Sequence, residues 1–486
     1  MKHFLDHFFE SYQNVVFVYC CTIYSIYALL TLFSYLSILS NIRRNTIREN
    51  LLLIQSPLSP GISIITGAFN EEMTIISNVR SLLTMNYPAF EVIIVNDGSK
   101  DKTLEKLIEE FTLIEVDFAY HYFIQCQPIQ RIYKSENSAF SNLLVIDKIN
   151  GGSKADAINA GINASSYAYF LNTDVDCILD KDTLVQMIQP FMDDEKRVIA
   201  TGATLRMANS CIIDSSVLVK ARVPRAILPL FQEIEYIRSF VLGKMGWNLV
   251  NSIPNVSGGL GMFDKEIVIK VGGYDANSFG EDMDMLMRIS KYMCETKQEY
   301  AVRSIPQSLC WTEGPQSLKV FKRQRVRWGR GLYQIFSTYY KLIFNPKYKK
   351  LGMIVLPYNF IFELCAPLIE FLGIICYIYL IASHLINWPF AIILLVFVYS
   401  FSVFITLLSI VWDQLVIRRY SLKEVLRLCV FVFIEPFIYH PLVMVFALMG
   451  YTNQFFKTKS NWGHMERRGF GKTEKAEVKV INATVI

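Results

Sequence analysis

The 486-residue chain is 52% hydrophobic and only 19% charged, whereas soluble domains carry about a quarter charged residues. That composition excludes a disordered chain, a collagen-like chain and a small disulfide scaffold, and it holds more apolar side chains than an ordinary core absorbs. A net charge of +5, from 48 Lys and Arg against 43 Asp and Glu, is too mild to argue for nucleic acid as a partner.

Residues 15–40 contain no charged side chain and are long enough to cross a bilayer. A secretory signal would have a shorter apolar region and a small-residue cleavage site. Here Asn41-Ile42-Arg43-Arg44 follows instead. Arg43, Arg44 and Arg48 place the next segment in the cytoplasm by the positive-inside rule. Ten cysteines are scattered without a C-x-x-C pair. They read as reduced thiols, several of them small buried hydrophobes, and support neither a zinc site nor a redox motif.

Residues 60–345 read as α/β. Ile62 to Thr66 forms a short strand, and Ile75, Ile76, Val79, Leu82 and Leu83 fall at helical spacing. Asn86-Tyr87-Pro88 ends that helix. Glu91 to Val95 is a buried β-branched strand that runs into the turn Asn96-Asp97-Gly98-Ser99, with a helix from Lys102 to Phe111 beyond it. Strand, helix and strand at this spacing imply parallel pairing. The pattern repeats with a strand from Leu143 to Ile149, a helix from Lys154 to Asn163, and a strand from Tyr167 to Leu171 that leads into Asn172-Thr173-Asp174-Val175-Asp176. Ligands of open α/β sheets bind beyond the carboxyl ends of strands, so Asp97, Asp174 and Asp176 are expected in one crevice. An aspartate in a turn is common because it bonds its own backbone. A close pair after a buried strand instead calls for a cation, and oxygen-only ligands suit Mg2+ or Mn2+.

Neither a P-loop nor a dinucleotide-binding glycine motif is present. Ser257-Gly258-Gly259-Leu260-Gly261 reads as a close-packed loop. Glu281, Asp282 and Asp284 fall in the first turn of a helix carrying Met285, Leu286 and Ile289. There they complement the helix dipole or supply a general base. Between Gln316 and Lys350 lie ten Lys or Arg and no acidic residue. This amphipathic stretch reads as interfacial, drawn to anionic lipid, or as a place where Arg and Trp hold a diphosphate and stack on a sugar.

A second apolar block divides into segments 353–383, 389–412 and 428–450. Arg418, Arg419, Lys423 and Arg427 mark a cytoplasmic loop before the last of them. One span before the soluble region and three after it would put the C-terminal tail outside. That tail nevertheless carries Lys457, Lys459, Arg467, Arg468, Lys472, Lys475 and Lys479. Either one segment is re-entrant or interfacial, or the tail departs from the charge rule. The expected organisation is therefore an N-terminal helix with a basic flank (1–50), a catalytic domain (51–315), a basic interfacial segment (316–350), about three membrane helices (351–452) and a tail (453–486).

Taken in order, Asp97-Gly98-Ser99, Lys154-Ala155-Asp156, Asp174-Val175-Asp176, Glu281-Asp282 and Gln324-Arg325-Val326-Arg327-Trp328 resemble the membrane-embedded family 2 glycosyltransferases. That group contains the cellulose, chitin, hyaluronan and poly-N-acetylglucosamine synthases. The likeness runs from about Pro60 to Gly331. It implies an α/β GT-A-like domain, with a mixed, mostly parallel sheet, joined to transmembrane helices. It also implies roles. Asp97 would contact the uridine, Lys154 would lie near the diphosphate and Asp156 near the nucleotide. Asp176, helped by Asp174, would hold Mg2+ or Mn2+, and Asp282 would deprotonate the acceptor hydroxyl. Gln324, Arg327 and Trp328 would hold the diphosphate and the acceptor end. Two departures stand out: Gly280 where the family usually has Thr, and Asn96 where it usually has Asp.

Intramembrane ionisable residues are functional candidates by default, so Glu363, Glu370 and Glu435 either line a polymer channel or mark helix ends near the headgroups. The resemblance implies an integral protein of the inner or plasma membrane whose catalytic domain is cytoplasmic. Its donor would be a UDP-sugar and its acceptor a polysaccharide or a lipid, with membrane lipid and export or accessory subunits as further partners. Processive, inverting polymer synthesis is the first reading. Transfer of one sugar to a lipid is the second. A transporter with a degenerate nucleotide-binding domain is the third, disfavoured by the few spans and the intact aspartates.

Overall fold

The computed structural model describes residues 2–44, 47–214, 217–417 and 420–458. Twelve strands occur among them: β1 (Ile62–Ala68), β2 (Phe90–Asp97), β3 (Leu113–Glu115), β4 (Ile129–Ser135), β5 (Leu143–Lys148), β6 (Tyr169–Thr173), β7 (Ile178–Leu179), β8 (Arg197–Met207), β9 (Ile212–Asp214), β10 (Val217–Lys220), β11 (Leu260–Asp264) and β12 (Tyr300–Thr312). Ten of them form one sheet in the order β3-β4-β5-β2-β1-β6-β11-β8-β12-β7. The expected parallel pairing holds through β5-β2-β1-β6. Beyond that core the sheet is mixed, because β11 runs antiparallel to both β6 and β8.

The alternation along β2 explains why both sheet faces are covered. Val92 and Ile94 join one apolar cluster with Ile64, Leu107 and Leu184. Ile93 and Val95 join the other with Ile65, Ile146, Ile158 and Met285. Successive side chains of a strand point to opposite faces, so an unbroken β-branched run needs helices above and below. The helices Ile75–Leu83 and Thr103–Phe111 take the first face, and Lys154–Ala164 and Glu281–Glu295 take the second.

Three helices are long and apolar enough to cross a membrane: Ser11–Arg43, Leu351–Ala382 and Trp388–Leu415. The third expected C-terminal segment is not one straight rod. It is a pair of helices, Leu422–Val432 and Glu435–Phe455, bent by 66°. Glu435 and Pro436 open the second of them, where proline fits because the first helical N–H has no partner to lose. Arg418, Arg419 and the tail from Lys459 lie outside the described residues.

Residues 227–249, grouped by sequence with the catalytic domain, form a helical segment whose middle, Arg238–Lys244, is wound as a π-type turn. This segment packs into clusters with the apolar helices, through Phe231 against Tyr439, Leu242 against Leu30 and Ile405, and Val241 and Met245 against Ile38. Buried ion pairs tie it down. Glu233 accepts from Arg206 at the end of β8 (2.9 Å) and from the Tyr420 hydroxyl (2.8 Å). Arg206 also pairs with Asp413. Arg238 makes two 3.0 Å bonds to Glu435.

The helix Leu318–Tyr339 carries the basic segment. Two close backbone approaches fix its place. A Cβ on Gly450 would fall 2.6 Å from the Val326 carbonyl, and one on Gly331 would fall 2.9 Å from the Gly280 nitrogen. The second contact calls for glycine at 331. A Cβ at 280 would stand 3.5 Å from the Gly331 Cα, an ordinary contact, so this packing does not itself exclude a side chain there. We predict that Gly331→Val costs about 1–3 kcal/mol by overpacking, visible as a lower unfolding midpoint in detergent. An unchanged midpoint would show that the two backbones are free to separate.

Candidate active site

The carboxyl ends of β2, β5 and β6 gather the predicted aspartates. Parallel pairing sets Asp97 of β2 opposite Lys148 of β5. The Lys148 ammonium is fully buried and lies 2.5 Å from both Asp97 Oδ1 and Asp156 Oδ2. Asp97 also accepts from the Gly151 N–H at 3.0 Å, and Asp156 from the Gln127 N–H at 3.0 Å. Burial pushes the Asp97 carboxyl up, against the opposing pull of Lys148 and of the Gly151 N–H. A buried carboxylate needs such partners to stay charged. Ser153 caps the helix that begins at Lys154, by accepting from the Asp156 N–H, and so brings Lys154 and Asp156 to the same rim.

From β6 the chain passes directly to Asp174 and Asp176. The Lys154 ammonium pairs with Asp174 and donates to the Gly258 carbonyl at 2.7 Å. Asp174, Asp176 and Cys177 each bring a potential ligand atom within 4.8 Å of the others. Two carboxylates at that spacing, one half-exposed and one buried, suit a hard divalent cation bound through oxygen, and the thiol is not needed for it.

The glycine loop belongs to the site as well. Antiparallel β11 places its leading turn against β6, where the Gly259 carbonyl accepts from the Thr173 hydroxyl at 3.0 Å. The Gly258 N–H donates to Asp282 Oδ2 at 3.1 Å, and the Met283 N–H donates to Asp282 Oδ1 at 2.8 Å. Asp282 is thereby aimed from the first turn of its helix toward the Asp174 rim. Burial pushes the neighbouring Glu281 carboxyl up, against the charge of Arg327. This electrostatic contact brings the Leu318–Tyr339 helix to the same crevice.

On that helix Gln324 accepts from Gln232 at 3.3 Å, and Trp328 is part exposed. Between them Arg325 is buried. Its guanidinium lies 4.4 Å from the Trp328 ring centre and 5.0 Å from that of Phe321, and it bonds Glu235 Oε1 at 2.7 Å and the Tyr439 hydroxyl at 2.6 Å. Sequence reasoning assigned no role to Lys148, Gly258, Glu235 or Arg325. The position of Lys148 at the end of a buried strand was the one local signal.

Among the intramembrane carboxylates, Glu363 is exposed within electrostatic reach of Glu235 and Arg238. Glu370 bonds His440 at 3.0 Å. Glu435 is buried against Arg238, so its charge is already matched by protein.

A family model described as "Glycosyl transferase family 2" matches residues 63–122 and 127–210, and one described as "Glycosyl transferase family group 2" matches 233–417. Together they take in more than half of the chain. The chain belongs to glycosyltransferase family 2. A poly-β-1,6-N-acetyl-D-glucosamine synthase of Staphylococcus epidermidis is 27% identical over 85% of this chain and 89% of its own length. A synthase of the same name from Staphylococcus aureus (strain COL) is 28% identical over 57% of each. Among solved structures, a mannosyltransferase from Pyrobaculum calidifontis in complex with GDP-Man and Mn2+ aligns with a TM-score of 0.44 at 14% identity, over 90% of this chain and 99% of that one. Family membership, the mixed sheet and the apolar helices agree with the expected GT-A-like glycosyltransferase joined to transmembrane helices.

Lys148 is the cation that holds Asp97 and Asp156 together. Lys148→Met leaves two buried carboxylates without their cation. It is expected to cost about 3–5 kcal/mol, read as a lower unfolding midpoint in detergent. A wild-type midpoint would show that Asp97 and Asp156 do not depend on it.

Proposed function

We propose that this chain polymerises a sugar from a UDP-sugar, with inversion, at the cytoplasmic face of the membrane, and passes the product outward between its helices. The observation that carries the reading is the convergence of Asp97, Asp156, Asp174, Asp176, Asp282 and the helix of Gln324, Arg327 and Trp328 on one end of the sheet, beside apolar helices. The names of the curated relatives support N-acetylglucosamine as the sugar.

In this reading Asp97 and Asp156 take the nucleotide, while Lys154 and Arg327 face the diphosphate. Mg2+ or Mn2+ held by Asp174 and Asp176 would supply positive charge to the diphosphate. Asp282 accepts the proton of the acceptor hydroxyl. That oxygen then bonds to the anomeric carbon as the bond to UDP breaks, and the UDP charge is met by Lys154 and Arg327. Trp328 offers a ring for the acceptor sugar to stack on.

In this reading the path outward runs past Glu363 and Glu370. Glu363 is exposed with Tyr451 bonded to its carbonyl at 3.5 Å, and the exposed Glu370–His440 pair lies on the facing helices. Polar groups at membrane depth persist where they face protein or a water-filled space. Reading the bent pair Leu422–Val432 and Glu435–Phe455 as re-entrant leaves three full spans. The basic tail then returns to the cytoplasmic side, as the charge rule asks.

UDP release across a panel of UDP-sugars, with product sizing, tests the proposal. Long product supports it. A singly glycosylated lipid would replace it with single transfer, and no UDP release from any donor would overturn it. Asp282→Asn should lower transfer roughly 100- to 10,000-fold while UDP binding stays unchanged. Wild-type turnover in that variant would remove Asp282 as the base. Asp176→Ala should instead reduce UDP affinity in the presence of Mn2+, read by titration calorimetry, and unchanged affinity would take the cation away from Asp176.

A further inference from the structure

The helical segment 227–249 turns two different faces to its surroundings. Val241, Leu242 and Met245 meet the apolar helices. Gln232, Tyr236, Phe240 and Lys244, four residues apart, form a stripe facing the crevice. Gln232 reaches Gln324 at 3.3 Å and Tyr236 at 3.4 Å. The Tyr236 and Phe240 rings lie 5.6 Å apart, and Phe240 shares an apolar cluster with Val175, Cys177 and Leu260 beneath the Asp174–Asp176 turn. The π-type turn ends at Lys244. Such turns re-aim side chains and are frequent at functional sites.

Lys244 is 9% exposed, and its ammonium lies 4.3 Å from the centre of the Phe240 ring. Nearby buried cations have carboxylates: Arg206 has Glu233, Arg325 has Glu235, Arg238 has Glu435, Lys148 has Asp97 and Lys154 has Asp174. No ion pair or hydrogen bond joins the Lys244 ammonium to a described residue. Among the described residues, the carboxylate whose charge acts on it is Asp282, whose oxygens already accept from Gly258 and Met283. Burial outweighs that attraction and pulls the ammonium down to about 8. An ammonium buried without a partner is costly unless a ligand completes it.

We infer that Lys244 is an acceptor-binding residue whose ammonium donates to a hydroxyl or amide carbonyl oxygen of the terminal acceptor sugar and holds it beside Asp282. The donor side already has Lys154, Arg327 and the aspartate pair, whereas Lys244 stands on the side of the base. The inference rests on the transferase reading above and adds a residue to its acceptor half.

The test uses the full chain in detergent with UDP-N-acetylglucosamine, Mn2+ and a β-1,6-linked N-acetylglucosamine tetramer. Losing a hydrogen bond from a charged group corresponds to roughly a 10- to 100-fold change. Lys244→Met is therefore expected to raise the KM for the tetramer by about that factor while UDP affinity by calorimetry stays at the wild-type value. Lys244→Arg should recover part of the loss. The Met variant should unfold at or above the wild-type temperature, because a buried charge has been removed. A wild-type KM in Lys244→Met, or a parallel loss of UDP affinity, would overturn the inference with the transferase reading intact. A wild-type enzyme that releases no UDP would overturn both.

Discussion

Crowded negative charge is the constraint around which this molecule is organised. Five aspartates converge at one end of the sheet, and a site of that kind folds only if cations and N–H groups are built in with it. Lys148 and Lys154 do this from opposite directions. One lies under the rim, joining Asp97 to Asp156, and the other lies on the rim, joining Asp174 to the Gly258 carbonyl. Among the described residues, Asp282 accepts from the backbone N–H groups of Gly258 and Met283.

The same principle links the catalytic sheet to the membrane helices. Glu233, Glu235 and Arg238 lie close together on one helical segment and pair with Arg206, Arg325 and Glu435 in turn. These partners come from a strand of the sheet, from the basic helix and from the bent helix pair. Buried ion pairs contribute less to stability than to fixing which elements meet. Here they set one register among three layers, so the crevice and the exposed Glu363 keep a fixed relation.

Much of this was legible in the sequence. Asp97, Asp174 and Asp176 follow buried β-branched runs, and a turn at the end of such a strand is where α/β sheets bind ligands. Asp282 was legible from the acidic first turn of an amphipathic helix. The partners were harder to see because their pairings are nonlocal. Lys148 meets Asp97 through the register of two strands fifty residues apart in sequence, and Gly258 meets Asp282 because β11 runs against its neighbours. Residues 227–249 were not set apart from the 51–315 domain, because the pattern of apolar residues does not say which neighbour they meet. The bend between Val432 and Glu435 reflects Pro436, which the sequence displayed, but its angle is set by packing against the Leu318–Tyr339 helix.

Gly258 works entirely through its peptide groups, offering an N–H to Asp282 and a C=O to Lys154. Exchanging side chains one at a time therefore leaves this contribution almost invisible, since every amino acid except proline carries the same amide. Divergence among enzymes built this way can alter the sugar they handle by reshaping the surrounding walls, while the electrostatic frame persists as a property of the main chain's path.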